Sequence, residues 1–480
     1  METCPSPFNL AAYVLSRASA QPDKIALAIL GSTRAERWSY EKLDAAVRGV
    51  GRGLLEAGLE PGDLFLLRLG NGVAFPLAYL GAIAVGIVPV PTSAQLTRAE
   101  LDAMCAQVDL ASMVVAEGLA TPSRTIKPIS EDALMEMSKG RPADYALGDP
   151  ERLAYIVFTS GTGGQPKAVA HAHRAIWARR MMFEDWYGLR DDDRLLHAGA
   201  LNWTFTLGTG LLDPWTVGAT ALIPAEGVPL STLPLLLKRH DATLFAAAPG
   251  VLRKLLGAPR ALDLPKLRHT LTAGEHLHPE LRAAWEVATG RGLYDAFGMT
   301  ECSTFLSASP GGARSLTPQR GRRVALRPDG TIALHRAELG LMLGYFEAGA
   351  LDLPLTEDGF FLTSDRGSAG ADGTITYEGR VGDMLNPGGY RVSPLEVEAT
   401  LMAYAHAGDV AVTELRNGAA TYLAACYTGD ASQEDLSSHA AACLARYKQP
   451  RLWRQVESLP RGPNGKLSRR ALPDLFKDDP

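Results

Sequence analysis

The feature that most restricts the fold of this 480-residue chain is an alternation of strand and helix patterns through its first three quarters. Residues 40–57 carry apolar side chains at helical spacing, and residues 63–69 form a short apolar run typical of a buried strand. Further strands are predicted at 220–223, 243–248 and 268–273, each followed by a helical pattern. Such alternation favours an α/β fold in which helices cover parallel-rich sheets, with ligand-binding loops at the strand ends.

The last hundred residues follow a different pattern. A capping box at Ser393 predicts a helix to about residue 404, and strands at about 409–415 and 420–427 flank the hairpin signal Asn417-Gly418. A helix over 434–447 and a final strand complete a small α+β region.

The chain is too long for one ordinary core, which favours two domains. We predict a large N-terminal domain at 1–381, a hinge at Gly382 and a small mobile C-terminal domain at 383–480.

Composition narrows the function classes. A net charge of −5 without a long basic run predicts no nucleic-acid partner. The five cysteines are scattered without CxxC spacing, and the start lacks a signal-peptide pattern, so a reducing cytoplasmic location is expected. Residues 72–94 lack charge, but prolines and glycines interrupt them, which predicts a buried helix and strand rather than a membrane span. A homodimer is left open.

A glycine-rich loop directly follows the apolar strand predicted at 153–158. Its hydroxyls and glycines can wrap polyphosphate, because glycines let backbone N–H groups approach oxygens while a lysine offsets charge. The spacing is not that of a P-loop kinase, since Pro166 and Ala168 replace required residues. The candidate ATP-binding residues of this loop are Thr159, Ser160, Gly161, Thr162, Gly163, Gly164 and Lys167.

This loop resembles the phosphate-binding signature TSGTTGxPKG of the adenylate-forming superfamily, which includes acyl-CoA synthetases, luciferases and peptide-synthetase adenylation domains. Gly163 stands where the family has its second threonine, and Ala168 where it has its last glycine. The resemblance continues in order over most of the chain. It implies a large ATP-binding domain, a small mobile domain, and the use of ATP, Mg²⁺ and coenzyme A.

The segment from Phe297 to Glu301 resembles the family's YGxTE motif. The resemblance implies that Phe297 flanks adenine, that Thr300 contacts the α-phosphate and that Glu301 binds magnesium. It also implies an adenine contact for Gly274 and Glu275, which resemble the family's strand end.

Asp295 is a further candidate, for the adenine amino group. Thr363-Ser364-Asp365 resembles the family's TGD, whose aspartate grips the ribose hydroxyls. Arg380 lies in a GRxxD segment and is expected on ribose or phosphate, with a surface salt bridge as the alternative.

The stretch from Pro460 to Lys466 resembles the family's PxxxxGK segment, which implies that Lys466 bridges the substrate carboxylate and the α-phosphate. The family pivots at the position of Gly382, which lacks the usual polar side chain. The glycine-rich segment with Gly388, Gly389 and Tyr390 resembles the part of the family that lines the thiol tunnel.

The acyl pocket is expected around His197, Trp203, Phe205, Gly298 and Phe305. The stretch from His197 lacks the aspartate that holds an α-amino group in peptide-synthetase domains, which disfavours amino acids. It looks most like benzoate-type and medium-chain acyl-CoA ligases. Trp203 and Phe205 could line the pocket or belong to the core, and His197 is interpreted as a structural or gating histidine.

The sequence therefore predicts an AMP-forming carboxylate–CoA ligase for an aromatic, cyclic or short- to medium-chain acid, with Lys466, Thr300 and Glu301 as catalytic residues. Two alternatives stay open. One is a stand-alone adenylation enzyme that loads a carrier-protein phosphopantetheine. The other is a nucleotide-binding regulatory protein without catalysis.

Overall fold

A computed structural model describes residues 3–160, 166–257, 262–347, 349–380, 385, 387, 392–417, 420–462 and 467–477. The chain divides into two compact units. The first comprises Met1–Val324 and Leu334–Phe361, and the second comprises Ala325–Ala333 and Leu362–Pro480. The predicted hinge, Gly382, lies outside the described residues, so the predicted boundary stays a prediction.

The α-helices are α1 (Leu10–Val14), α2 (Tyr40–Glu56), α3 (Ala74–Ala84), α4 (Arg98–Cys105), α5 (Glu131–Met137), α6 (Ala175–Ala178), α7 (Asp213–Val217), α8 (Leu233–Arg239), α9 (Pro249–Leu256), α10 (Pro279–Thr289), α11 (Pro394–Met402) and α12 (Gln433–Cys443). Two π-helical segments span Phe183–Tyr187 and Thr206–Leu212. Short 3-10 turns span Leu230–Thr232, Arg446–Lys448, Arg469–Ala471 and Pro473–Phe476.

The strands are β1 (Ile25–Leu30), β2 (Ala35–Ser39), β3 (Leu64–Arg68), β4 (Val88–Pro91), β5 (Leu110–Val115), β6 (Lys127–Ser130), β7 (Leu153–Ser160), β8 (Pro166–Ala172), β9 (Arg194–His197), β10 (Thr220–Pro224), β11 (Leu244–Ala246), β12 (His269–Ala273), β13 (Leu293–Met299), β14 (Ser303–Ser307), β15 (Thr317–Pro318), β16 (Val324–Leu326), β17 (Thr331–His335), β18 (Gly344–Glu347), β19 (Ala350–Asp352), β20 (Phe360–Ala369), β21 (Ile375–Arg380), β22 (Val410–Asn417), β23 (Ala420–Tyr427) and β24 (Leu452–Gln455).

The largest sheet of the first unit has, among the described residues, nine strands in the order β15-β14-β13-β12-β11-β9-β10-β1-β2. Its six central strands, β13 to β1 in that order, run parallel, and antiparallel strands close both edges. A second sheet, β4-β3-β5-β6, is parallel throughout. A third, β19-β18-β8-β7, is antiparallel and carries the glycine-rich loop. The predicted α/β fold with parallel-rich sheets is confirmed.

The uncharged stretch 72–94 forms α3 and β4, and every residue of both elements is buried. The prediction of a buried helix followed by a buried strand is therefore confirmed. Within the described part of the chain, no helix combines the length and the apolar character needed to cross a membrane.

The second unit is built on the sheet β16-β17-β20-β21 and on the three-stranded sheet β22-β23-β24. β22 and β23 form the predicted hairpin, with Asn417 paired to Ala420. β24 then joins β23 in parallel. Val397, Leu401 and Leu436 of α11 and α12 are buried in the core that covers this sheet.

The helix predicted to open after Ser393 begins at Pro394 as expected, but its predicted capping contact and the predicted end of the next helix are wrong. Ser393 does not cap α11 with its side chain, because its hydroxyl donates instead to the carbonyl oxygen of Glu378 at 2.6 Å. The helix predicted over 434–447 ends at Cys443, since Leu444 is extended and is buried in the core.

Candidate active site

The hairpin of β7 and β8 holds the two ends of the glycine-rich loop together. Its register pairs Thr159 with Lys167 and Ser160 with Pro166. The five loop residues between them, including Gly161, Thr162, Gly163 and Gly164, lie outside the described residues. Both ends of the predicted phosphate loop therefore emerge at one edge of the third sheet.

Tyr345 brings the loop lysine and the predicted magnesium ligand together. Lys167 Nζ lies 4.4 Å from the centre of the Tyr345 ring, a cation–π distance. The Tyr345 hydroxyl donates to Glu301 Oε1 at 3.0 Å. Glu301 itself is buried. Sequence reasoning missed Tyr345, since it lies in β18 and in no motif.

Thr300 is anchored by a histidine of β8. His171 Nε2 donates to the Thr300 carbonyl oxygen at 2.8 Å, and the His171 ring stacks on Tyr155 with centroids 4.9 Å apart. Burial lowers the pKa of His171 to about 4, so the ring is neutral near pH 7. Because Nε2 carries the proton, Nδ1 is a hydrogen-bond acceptor.

The predicted adenine contacts lie at the ends of β12 and β13. Gly274 has φ +93°, and a Cβ there would come within 2.5 Å of the Trp203 ring. Glu275 follows Gly274 and is partly exposed. Asp295 is in an ion pair with Arg282, whose Nη2 donates to Asp295 Oδ1 at 2.6 Å. The adenine role of Asp295 stays a prediction.

The hairpin of β13 and β14 needs a glycine at position 298, where β13 pairs with Thr304 of β14. A Cβ on Gly298 would lie 2.3 Å from the Ser303 carbonyl oxygen. Phe297 and Phe305 meet edge to face across this turn, with centroids 5.4 Å apart. The hairpin therefore brings Phe297, Gly298 and Phe305 together, and Thr300 and Glu301 lie in the turn that joins its two strands.

The three predicted acyl-pocket residues before the second π-helical segment form one aromatic group. Phe205 meets His197 at 4.4 Å and Trp203 at 5.2 Å between centroids, both edge to face. Phe205 and His197 are buried, while Trp203 is partly exposed. Burial lowers the pKa of His197 to about 3, and its Nδ1 accepts from the Gly199 N–H at 3.0 Å. A neutral, buried histidine fits the structural or gating interpretation.

In the second unit, β20 and β21 pair the two predicted ribose ligands directly. Asp365 lies opposite Arg380 in the register, and Arg380 Nε donates to Asp365 Oδ1 at 3.2 Å. The Tyr377 hydroxyl donates to the same oxygen at 3.1 Å. The Asp365 side chain is buried whereas Arg380 is 44% exposed. Arg380 thus makes an ion pair with the predicted ribose ligand itself.

Sequence reasoning missed a buried ionic group, here called the Arg179 cluster. Arg179 Nε and Nη2 donate to the two carboxylate oxygens of Asp213 at 2.7 and 2.6 Å, and its Nη1 donates to the Ser303 hydroxyl. The Tyr187 hydroxyl donates to Asp213 at 2.7 Å and contacts the Thr209 hydroxyl at 2.7 Å. The cluster consists of Arg179, Tyr187, Thr209, Asp213 and Ser303.

The charges in the Arg179 cluster compensate each other. Burial alone would lower the pKa of Arg179, but Asp213 more than offsets this effect and holds that pKa above its ordinary value. Burial also raises the pKa of Tyr187. Arg179 therefore keeps its charge although it is buried.

Several predicted site residues lie outside the described residues: Gly382, Gly388, Gly389, Tyr390 and Lys466. Their roles stay predictions.

Comparisons with known proteins identify the family of this chain. A family model described as AMP-binding enzyme matches residues 15–328. The chain is 28% identical to 3-hydroxybenzoate–CoA ligase of Aromatoleum sp. strain CIB, over 94% of this chain and 93% of the relative. It is 29% identical to benzoate–CoA ligase of Thauera aromatica, over 90% of each chain.

Solved structures share the fold. A benzoate CoA ligase from Burkholderia xenovorans LB400 matches with a TM-score of 0.88 at 25% identity, over 97% of this chain and 99% of that one. The anthranilate CoA ligase AuaEII, in complex with anthranoyl-AMP, matches with a TM-score of 0.89 at 24% identity, over 98% of both chains.

Proposed function

Because the chain belongs to the AMP-binding enzyme family, we propose that it is an AMP-forming acid–thiol ligase that joins a carboxylic acid to coenzyme A. In the first half-reaction, a carboxylate oxygen attacks the α-phosphorus of ATP, and pyrophosphate leaves. In the second, the thiol of coenzyme A attacks the acyl carbonyl, its proton is lost and AMP leaves. ATP, Mg²⁺ and coenzyme A are the cosubstrates and cofactor of such ligases.

The observation that carries this proposal is the contact chain from Lys167 through Tyr345 to Glu301. The cation at the end of the β7–β8 hairpin and the buried carboxylate both contact Tyr345, one at its ring and the other at its hydroxyl. Preorganised charges of this kind stabilise a developing transition state without a cost of reorganisation. Thr300, fixed through its carbonyl by His171, lies next to Glu301 in the same turn.

Glu301 fits the expected magnesium ion. Mg²⁺ in nucleotide enzymes is commonly held by one or two carboxylates together with substrate phosphates. Among the residues that the structure describes, no group of three or more His, Cys, Asp or Glu could hold a metal. A single carboxylate beside the phosphate loop suits an ion shared with ATP, and the ion would neutralise charge on the leaving pyrophosphate.

In the second unit, we propose that Asp365 accepts hydrogen bonds from the ribose hydroxyls and that Arg380 steadies its carboxylate. Lys466 would bridge the attacking carboxylate and the α-phosphate. We further propose that residues 383–480 rotate about Gly382, so that Gly388, Gly389 and Tyr390 serve thioester formation after Lys466 has served adenylation. Glycine at the pivot absorbs a large change in φ and ψ at low steric cost.

The acid is proposed to be aromatic. Trp203 is partly exposed and could stack on a planar acid, with the buried Phe205 packed against it edge to face, and the relatives named above are ligases of benzoate and 3-hydroxybenzoate. Cyclic and short- to medium-chain acids are the competing substrates. We also propose that the protein acts in the cytoplasm, since its five cysteines are free and scattered.

The experiment is a panel of benzoates, cyclic acids and short- to medium-chain acids, followed by AMP and pyrophosphate release. Coenzyme A and a phosphopantetheinylated carrier protein are tested as acceptors. We expect thioester formation with an aromatic acid and free coenzyme A. If a thioester forms only on the carrier protein, then the carrier protein and not coenzyme A is the acceptor. If none of the acids causes release of pyrophosphate, the enzyme proposal is wrong.

A further inference from the structure

Another buried ion pair lies beside the hairpin of β13 and β14. Arg322 Nη1 donates to Glu338 Oε1 at 2.9 Å, and both side chains are fully buried. The Glu338 carboxylate also accepts from the backbone N–H groups of Arg323 at 2.7 Å and Gly340 at 3.0 Å. Because a buried polar network with its hydrogen bonds made is rigid, the carboxylate holds the Arg322 guanidinium in one place.

The same guanidinium holds the backbone of β14. Arg322 Nη2 donates to the Thr304 carbonyl oxygen at 2.6 Å, and Thr304 pairs with Gly298 in the hairpin. Ser303, the residue before Thr304, has φ +63°. A residue other than glycine keeps this left-handed conformation only when its surroundings enforce it. Arg322 therefore helps to fix the start of β14, directly after the turn at residues 300–302.

Close packing connects the ion pair to the turn itself. A Cβ on Gly340 would lie 2.6 Å from Arg322 Nη1 and 3.0 Å from the Cys302 carbonyl oxygen. Only a glycine therefore fits between the guanidinium and Cys302, which follows Glu301 in the turn. Two residues after Gly340, the Met342 N–H donates to the Glu301 carbonyl oxygen at 2.7 Å. The segment that supplies the carboxylate of the ion pair thus also holds the backbone of Glu301.

These contacts lie behind the two residues that are expected to meet the nucleotide. We propose that Arg322 and Glu338 are positioning residues for adenylation, which hold the turn in the conformation that directs Thr300 to the α-phosphate and Glu301 to the magnesium ion of ATP. Since both side chains are fully buried, they act through the backbone of the turn. The inference rests on the proposed function and adds two residues to it.

The first experiment uses Arg322→Lys. Lysine keeps the positive charge next to Glu338, but it lacks the planar fork that reaches a carboxylate and a carbonyl oxygen together. We expect pyrophosphate release at saturating substrates to fall about 10–100-fold, the usual effect of a residue that orients a metal ligand.

A binding measurement separates positioning from a general loss of activity. Mn²⁺ serves as the probe, with α,β-methylene-ATP, which cannot be cleaved at the bond between its α- and β-phosphates, and without an acid. The Kd of Mn²⁺, measured by electron paramagnetic resonance, should rise about tenfold in Arg322→Lys, because Glu301 no longer has its position.

Arg268→Lys is the matched control. Arg268 donates to the fully buried Asp193 at 2.6 Å and to the Gly188 carbonyl oxygen at 2.9 Å, so it joins the same two kinds of acceptor. It directly precedes β12, at the end of that strand opposite Gly274. The rate and the Mn²⁺ affinity should both stay within about threefold of wild type, because distant sites act independently.

Gly340→Ala is a second variant that keeps both charges. Its methyl group would displace the Arg322 guanidinium, so it should lower the rate and the Mn²⁺ affinity in the same direction as Arg322→Lys. Denaturant unfolding shows which variants are folded. If Arg322→Lys does not fold, Gly340→Ala decides the question.

Three outcomes count against the proposals, and they differ. Wild-type rate and Mn²⁺ affinity in the folded variants Arg322→Lys and Gly340→Ala would overturn the inference and leave the ligase proposal intact. Equal losses of rate in Arg322→Lys and Arg268→Lys, with unchanged Mn²⁺ affinity, would also overturn it, since the pair would then have a structural role only. If the wild type binds Mn²⁺ with the ATP analogue but releases no pyrophosphate with any acid, the ligase proposal is wrong.

Discussion

The nucleotide side of the site and the Arg179 cluster both depend on charged groups, but they are assembled differently. Lys167 and Glu301 come from two short motifs, 159–167 and 297–301, and Lys167 is exposed. The Arg179 cluster draws on separate segments, since Arg179 and Ser303 are 124 positions apart in the sequence, and its Asp213 is fully buried. One set is proposed to bind a ligand, whereas the other is satisfied within the protein.

From this difference we infer whether each set of charged groups affects mainly the reaction rate or mainly the stability. An exposed charge such as that of Lys167 contributes little to folding, because solvent screens it. A buried ion pair is the opposite case, since removal of one partner leaves an uncompensated charge in the interior. Substitutions on the nucleotide side should therefore cost rate, and those in the cluster should cost stability.

The largest effect is expected in the cluster. Asp213→Asn keeps the shape of the side chain but leaves the Arg179 guanidinium without its counter-charge. We expect a loss of about 3–5 kcal/mol in the free energy of unfolding. Denaturant unfolding of the two proteins at the same pH measures it.

Glu136→Gln is the control for this variant. Glu136 forms an exposed ion pair with Lys139, and the two side chains are 72% and 68% exposed. Its loss should cost at most about 1 kcal/mol. Equal destabilisation by the two substitutions would remove the distinction between the cluster and the surface.

Lys466→Ala should have the next largest effect, on rate alone. We expect adenylate formation to fall on the order of 10²–10³-fold, about 2.7–4 kcal/mol in the barrier, because the cation no longer offsets charge between the carboxylate and the α-phosphate. Thioester formation from supplied acyl-adenylate should persist, and the free energy of unfolding should stay within about 1 kcal/mol of wild type. Equal loss of both half-reactions would contradict the two-pose mechanism.

The smallest effect concerns His171. This histidine is buried, like the Arg179 cluster, but it also hydrogen-bonds to Thr300 on the nucleotide side of the site. Its pKa is about 4 in the folded protein, where burial lowers it, compared with 6.5 for an unburied histidine such as that of the unfolded chain. The unfolded chain therefore takes up this proton first, and stability falls as the pH drops below about 6.5. The slope is about 1.4 kcal/mol per pH unit.

His171→Gln keeps a side-chain N–H for the Thr300 carbonyl but cannot titrate. The curve of unfolding free energy against pH should become flatter by about that slope between about pH 4.5 and pH 6. Denaturant titrations at several pH values test it. Parallel curves for the two proteins would mean that His171 is protonated in the folded state.

Local sequence patterns predicted the first and last residues of some helices correctly. The helix over 279–289 was found with both of its bounds, because Pro279 opens it and Gly290 closes it with φ +64°. Ser393 carried an equally good local signal, yet its hydroxyl bonds to Glu378 in a preceding strand. No sequence pattern marks that competing acceptor.

The same limit applies to the site. Lys167 and Glu301 could be named as candidate site residues because each lies in a contiguous sequence motif. Tyr345 comes between them only through the register of β18 with β8, which pairs it with Val169. Asp213 could not be told from a surface aspartate, because its burial depends on packing between segments that are distant in the chain.

Strand β8 sets the distance between Lys167 and His171. Lys167 and His171 are four residues apart on it, so both side chains point to the same face and their backbones lie roughly 13 Å apart. One added residue between them would turn His171 to the opposite face and release Thr300. Added length in the loops around this site would leave both side chains in place, whereas an insertion between Lys167 and His171 would not.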